Sequence, residues 1–267
     1  MDLGLHGARV IVTGGAANIG RAIVHAFARE QSRVVIADLD GTQAQVVRKE
    51  AMDLGADDVV VCEGDLTAPG AAERAVDAAV RAWGGLDVLV NNAGWSAGDF
   101  LARDDDRDRW QRLTDVNILA VVAISRAAVA AMRADQTDGG AIVFVSSEAA
   151  FGQIRQGVYG ATKAAQVALA RTVAREHGRH GIRSNIVCPG LVLPDSPDAV
   201  GETSVWAAGE DAIFDRKQVD YMLAGTPLQR LTTAEDVANT VVWLSSDRAA
   251  RQVTGQLIAV SGGYTMP

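Results

Sequence analysis

At 267 residues, with 48% apolar and 22% charged side chains, the chain can bury the core of one α/β domain without a second. Its net charge of -8, with no basic stripe, excludes a nucleic-acid binder, because phosphate binding needs clustered Lys and Arg; it argues equally against docking on an anionic membrane. Aromatic residues are only 5% while glycines number 27, a balance that suits helices packed closely on a sheet.

In chain order the pattern alternates strand and helix. Arg9–Thr13 is a short β-branched run of the kind found in buried parallel strands, and Ile19–Glu30 has helical periodicity. Strands are then expected at Arg33–Asp38, Asp57–Cys62, Leu86–Asn91, Ala141–Ser146, Ile182–Cys188 and Leu257–Val260. Helices are expected at Thr42–Leu54, Ala71–Trp83, Thr114–Arg133, Val158–His177 and Ala234–Ser245. This alternation predicts right-handed crossovers and a single-domain, doubly wound, Rossmann-type parallel sheet of about seven strands. The RDDDRDR run at Arg103–Arg109 reads as a solvated loop or helix start. Leu191–Thr226 is too long for an ordinary connection, so it is expected to form a substrate lid within the domain.

The longest continuous apolar runs, such as Val34–Ala37, are too short to span a bilayer, and no charged n-region with an apolar stretch opens the chain. A cytoplasmic location is therefore expected. Cys62 and Cys188 read as buried reduced thiols. The four histidines complete no ligand pattern and read as surface residues, so no metal is expected.

Between the first strand and first helix stands TGGAANIG, Thr13–Gly20. Glycines there let the backbone approach a pyrophosphate, and the helix N-terminus favours an anion. Asp38 ends the second strand, 18 residues beyond Gly20. A carboxylate in that place accepts hydrogen bonds from ribose hydroxyls and repels a 2′-phosphate. With no Lys or Arg at Gly15–Ala17 or Leu39, NAD is expected over NADP.

Tyr159 and Lys163 are four apart on one helix face. A phenol titrates near 10, too high for a base at neutrality, and a nearby ammonium would bring it down. Ser147, at a strand end twelve residues earlier, can hydrogen-bond a substrate oxygen.

With these residues in place the sequence resembles the short-chain dehydrogenase/reductase family in its non-extended form, over about residues 5–264. The marks are Thr13–Gly20, Asp65, Asn91–Asn92–Ala93–Gly94, Asn117, Ser147, Tyr159-x-x-x-Lys163 and Pro189–Gly190. The resemblance implies that Gly14, Asn18, Ile19 and Gly20 line the pyrophosphate, Asp38 the adenosine ribose, and Asp65 and Leu66 the adenine. It implies that Asn91, Ala93 and Gly94 border the cofactor, with Pro189, Gly190 and Val192 on the nicotinamide side. Tyr159 is then the general base or acid, Lys163 the group that holds the nicotinamide ribose and lowers the phenol, and Ser147 the group that orients the reacting oxygen. Asn117 binds a relay water. A homotetramer is also implied, its long helices packing between subunits.

Some positions depart from the family pattern. Asn18 replaces a usual glycine, and Asn tolerates the left-handed conformation better than most residues. Ser146, not Ser147, has the commoner 13-residue spacing to the Tyr; Ser147 is chosen as the second serine of the strand end. Pro194 stands where a Thr often contacts the carboxamide. Around the substrate the resemblance places Trp95, Ser96, Glu148, Phe151, Gln153, Trp206, Phe214, Tyr221 and Met222, with Glu148 able to accept a hydrogen bond from a polyol or sugar. The expected activity is NAD-dependent interconversion of a small secondary alcohol and its ketone. The alternatives are an NADPH-dependent ketoreductase of acyl-carrier or CoA thioesters, which the acidic lid disfavours, and a non-catalytic nucleotide sensor, which would not need the Tyr–Lys pair.

Overall fold

The computed structural model describes residues 2–134, 139–194 and 216–267. The strands are β1 (Arg9–Thr13), β2 (Arg33–Asp38), β3 (Asp58–Glu63), β4 (Val88–Asn91), β5 (Gly140–Val145), β6 (Ile182–Pro189) and β7 (Leu257–Val260). They form one seven-stranded sheet in the order β3-β2-β1-β4-β5-β6-β7, and each neighbouring pair is parallel. The order reverses between β1 and β4, where chain connections leave in opposite directions and open a crevice at the strands' C-terminal ends.

The helices are α1 (Asn18–Arg29), α2 (Gly41–Asp53), α3 (Ala71–Trp83), α4 (Arg107–Thr114), α5 (Ala120–Ala134), α6 (Gly157–His177), α7 (Arg216–Ala224) and α8 (Ala234–Ser245). Successive strand residues point to opposite faces, and both faces are covered. Val10, Val12, Val34 and Ile36 pack in one core with α1, α2 and α8. Ile11, Val35 and Ala37 pack in the other with α3, α5 and α6. A sheet buried on both faces requires apolar residues at consecutive positions, which is why its strands read as continuous runs.

The expected long helix at Thr114–Arg133 is corrected. Helical structure begins at Arg107, capped by the Asp106 carboxylate, which accepts from Arg109 N at 2.9 Å. It passes through a π-helical turn, Asp115–Leu119, before α5. The whole stretch Arg107–Ala134 is long and apolar enough to cross a membrane by composition. In the fold, however, Val121, Ile124, Ala128 and Met132 face the sheet core. The histidine reading is also corrected: His25 is half-buried and bonds Glu50 at 3.0 Å. Burial lowers its proton affinity. Cys188 is buried, Cys62 is half-buried, and both are free thiols. Of the expected lid, 195–215 lies outside the described residues, and so do Trp206 and Phe214. Within its described part Arg216–Ala224 is the helix α7.

Candidate active site

The turn after β1 is built by close approach. Asn18 takes a φ of 43°, as expected of an Asn in a glycine's place, and Gly14 has φ 61°. A side-chain carbon on Gly20 would lie 1.8 Å from Gly14 O, so only glycine fits there. Behind the turn, Thr13 Oγ1 accepts from Asn92 N at 3.0 Å and Ala93 N at 2.9 Å. Asn92 Nδ2 donates to Thr13 O at 3.0 Å and Gly14 O at 2.8 Å. These bonds lock the end of β4 to the turn. Helix α1, with Ala17 as its N-cap residue, has no side-chain cap and no acidic residue in its first turn. Its first N–H groups and dipole are therefore free to receive an anion.

A cavity of about 640 Å³ runs over this turn, lined by Gly14, Asn18, Ile19, Gly20, Asp38, Asp65, Leu66, Asn91, Ala93 and Gly94. Asp38 is fixed at its rim: Oδ2 accepts from Ala16 N at 2.8 Å and Oδ1 from Asp40 N at 2.9 Å. Burial raises its proton affinity, while those two N–H donors oppose the rise. Each oxygen keeps a second lone pair for a further donor. Asp65 is exposed and spends Oδ1 on Thr67 N and Oγ1, at 2.8 and 2.7 Å. Asn91 is buried, with Nδ2 donating to Ser125 Oγ at 3.0 Å. Glycine positions a side chain would block, a helix N-terminus and a ribose-height carboxylate together fit a dinucleotide.

A second cavity, of about 230 Å³, adjoins the first and shares Asn18, Ile19, Gly94 and Trp95 with it. Ser147, Glu148, Gln153, Tyr159, Lys163, Pro189, Gly190 and Val192 also line it, as do Ser96 and Met222. Tyr221 is 71% exposed and Phe151 46%, and neither lines it. Two devices set Tyr159. The start of α6 has no cap of its own, and the buried Asp99 carboxylate supplies one, accepting from Gly157 N at 2.9 Å and Val158 N at 3.4 Å. One residue past Tyr159, a carbon on Gly160 would stand 2.5 Å from Ala149 O. The helix therefore packs directly on the 3₁₀ turn Glu148–Phe151 that follows Ser147.

The two serines separate cleanly. Ser146 Oγ donates to Lys163 O at 2.9 Å, a buried structural bond. Ser147 lines the same cavity as Tyr159 and lowers the proton affinity of its phenol, and its Oγ accepts from Ala149 N at 3.1 Å. Lys163 is 4% exposed, and its Nζ donates to Val145 O at 2.9 Å and stands 5.9 Å from the Tyr159 ring centre. Burial pushes Tyr159 up to about 12, and Ser147 opposes the rise. Burial also brings Lys163 down to about 8.

Asn117 sits in the π-helical turn and is fully buried. Its Oδ1 accepts from Trp95 N at 2.9 Å, and its Nδ2 donates to Trp95 O at 2.8 Å and Thr162 Oγ1 at 3.1 Å. Both hydrogens of its Nδ2 are spent, so the expected water would have to donate to its Oδ1 or to its backbone carbonyl, which accepts from Gln166 Nε2 at 2.8 Å. Thr13 and Asn92 stand within the marks quoted from the sequence but were given no role there, and Asp99, Gly160 and Gln166 were not singled out by the sequence. Gln166 was findable, three residues past Lys163 on the same face; Asp99 was not, because it caps a helix 58 residues away.

A family model described as "Enoyl-(Acyl carrier protein) reductase" matches residues 14–265. The chain is 35% identical over 273 residues to (+)-borneol dehydrogenase 2 of Salvia officinalis, covering 99% of this chain and 92% of that one. It is 36% identical over 263 residues to L-rhamnose 1-dehydrogenase (NAD(P)(+)) of Sphingomonas sp., covering 97% and 96%. A solved 7 alpha-hydroxysteroid dehydrogenase complexed with NADH and 7-oxo glycochenodeoxycholic acid superposes with a TM-score of 0.87 at 30% identity, covering 98% and 96%. The chain belongs to the short-chain dehydrogenase/reductase family of oxidoreductases acting on CH–OH groups.

Proposed function

We propose that the protein interconverts a secondary alcohol and its ketone with NAD as cofactor, Tyr159 passing the proton. The observation that carries this reading is that Tyr159, Ser147 and Lys163 line one cavity, which shares Asn18, Ile19 and Gly94 with the cavity over the phosphate turn. A nicotinamide bound there supplies the hydride acceptor or donor. Ser147 Oγ and Tyr159 Oη converge on one substrate oxygen. In oxidation the phenolate takes the hydroxyl proton as the carbinol hydrogen leaves with its electron pair; in reduction the phenol returns that proton to the ketone oxygen. A phenol pushed up to about 12 is protonated at neutrality, so it is ready as an acid and gains as a base when pH rises. Lys163 supplies a cation beneath the ribose side.

Asp38 favours NAD. The rim around it is Leu39, Asp40, Gln43, Gly64 and Asp65, with no cation to take a 2′-phosphate. Arg112, a cation in the same cavity wall, lies over the Trp95 ring at 4.4 Å. The same reading includes a homotetramer paired through α5 and α6; Leu119, just before α5, and Val122 on it are 54% and 40% exposed. Tyr159→Phe is expected to lower turnover roughly 10²- to 10⁴-fold while NADH still binds, seen by its fluorescence. Turnover within threefold of the parent would refute the role of the phenol.

A further inference from the structure

Glu148 directly follows Ser147 and is 5% exposed. Its Oε2 is buried without a hydrogen-bond partner, and among the described residues no cation pairs with the carboxyl. An unpartnered buried carboxyl is costly, and folded proteins rarely keep one that nothing uses. This one stands in the wall between two cavities. The smaller, about 10 Å³ and bounded by Leu191, Met222 and Thr232, is at the lower limit for a single water. The larger is the pocket of Tyr159 and Ser147, where Trp95, Ile154, Leu191 and Met222 supply apolar walls. The carboxyl also bears electrostatically on Tyr159, raising its proton affinity, which places it beside the reacting centre.

Resting on the proposed alcohol–ketone reaction, we propose that Glu148 is a specificity residue that accepts a hydrogen bond from a second hydroxyl of the substrate, so that the alcohol oxidised is one hydroxyl of a vicinal diol or polyol. Ser147 and Tyr159 hold the reacting oxygen, and the adjoining residue holds its neighbour. A hydrogen bond to a desolvated carboxyl discriminates strongly, because an analogue without the hydroxyl leaves the acceptor empty.

The test compares cis-1,2-cyclohexanediol with cyclohexanol, by kcat/KM with NAD and by calorimetric binding to the enzyme–NADH complex, for the parent, Glu148→Gln and Glu148→Leu. The parent is expected to prefer the diol at least about tenfold in both readouts. Glu148→Gln keeps part of the preference, since its amide oxygen still accepts, and Glu148→Leu abolishes it. A parent that oxidises cyclohexanol but shows no diol preference overturns the proposal and leaves the alcohol reaction standing. A preference unaltered in Glu148→Leu overturns it too, as does a change that is equal for both substrates, the mark of a carboxyl that only holds a structural water. Preference for 2-aminocyclohexanol over the diol assigns the carboxyl to a cation instead. If no alcohol in a wide panel is oxidised with NAD or NADP, the reaction itself is wrong and this inference falls with it.

Discussion

Replacing Glu148 by Gln removes a group that burial alone pushes from 4.5 up to about 7. Because the folded state holds that proton more tightly than the unfolded chain, its stabilising effect is complete below about pH 4.5. It is lost as pH rises through 7. At about 1.4 kcal/mol per pH unit, the ionised carboxylate costs the fold roughly 3 kcal/mol above neutrality. Gln has nearly the same shape and no charge to bury. The variant is therefore expected to match the parent near pH 4.5 and to exceed it by about 3 kcal/mol at pH 8, or roughly 5–10 °C in Tm for a domain of this size. Urea unfolding of both proteins without nucleotide, followed by circular dichroism from pH 4.5 to 8.5, measures the difference directly. A stability gap that stays constant across that range would show that Glu148 is not desolvated in the folded protein, and the reasoning would fail.

Other perturbations probe other parts of the cleft. Gly20→Ala forces its new carbon against Gly14 O and is expected to weaken NADH binding more than tenfold in a fluorescence titration; unchanged affinity would mean that the turn is not the phosphate cradle. Asp38→Ala removes the carboxylate acceptors, and the NAD-over-NADP ratio of kcat/KM is expected to fall at least about tenfold; an undiminished ratio would place the discrimination elsewhere. Asp99→Ala strips the cap from α6 and is expected to cost about 1 kcal/mol in urea unfolding, with lower kcat because Tyr159 lies two residues inside that helix. Full stability and activity in that variant would show that the helix start needs no outside cap.

The sheet was legible because strands buried on both faces are apolar at consecutive positions, as Val10–Val12 of β1 and Val34–Ala37 of β2 are, and because the Gly-rich turn falls between a strand run and a helical one. Tyr159, Lys163 and Ser147 were legible as a helix-face pair and a strand-end hydroxyl, and they meet in one pocket. The π-helical turn at Asp115–Leu119 left no periodic signature: one extra residue between two well-formed helical segments barely disturbs the apolar pattern. Spacing fixes which residues share a face, not where an amine points, so the Lys163 contact was not legible. Lys163 turns to the Val145 carbonyl, and the dry surroundings push the phenol up. Asp99 and Gly160 act through contacts with distant chain, which no local pattern encodes.

The central claim, that Tyr159 exchanges the proton of the reacting alcohol, is tested most directly by the pH dependence of kcat/KM for alcohol oxidation between pH 6 and 9. A buried phenol that must ionise predicts a rate that climbs with pH, approaching tenfold per unit, while ketone reduction, which uses the phenol already protonated across this range, stays flat. In Tyr159→Phe the residual rate should lose that slope. A pH-independent oxidation in the parent, or the same slope in the Phe variant, would contradict the account.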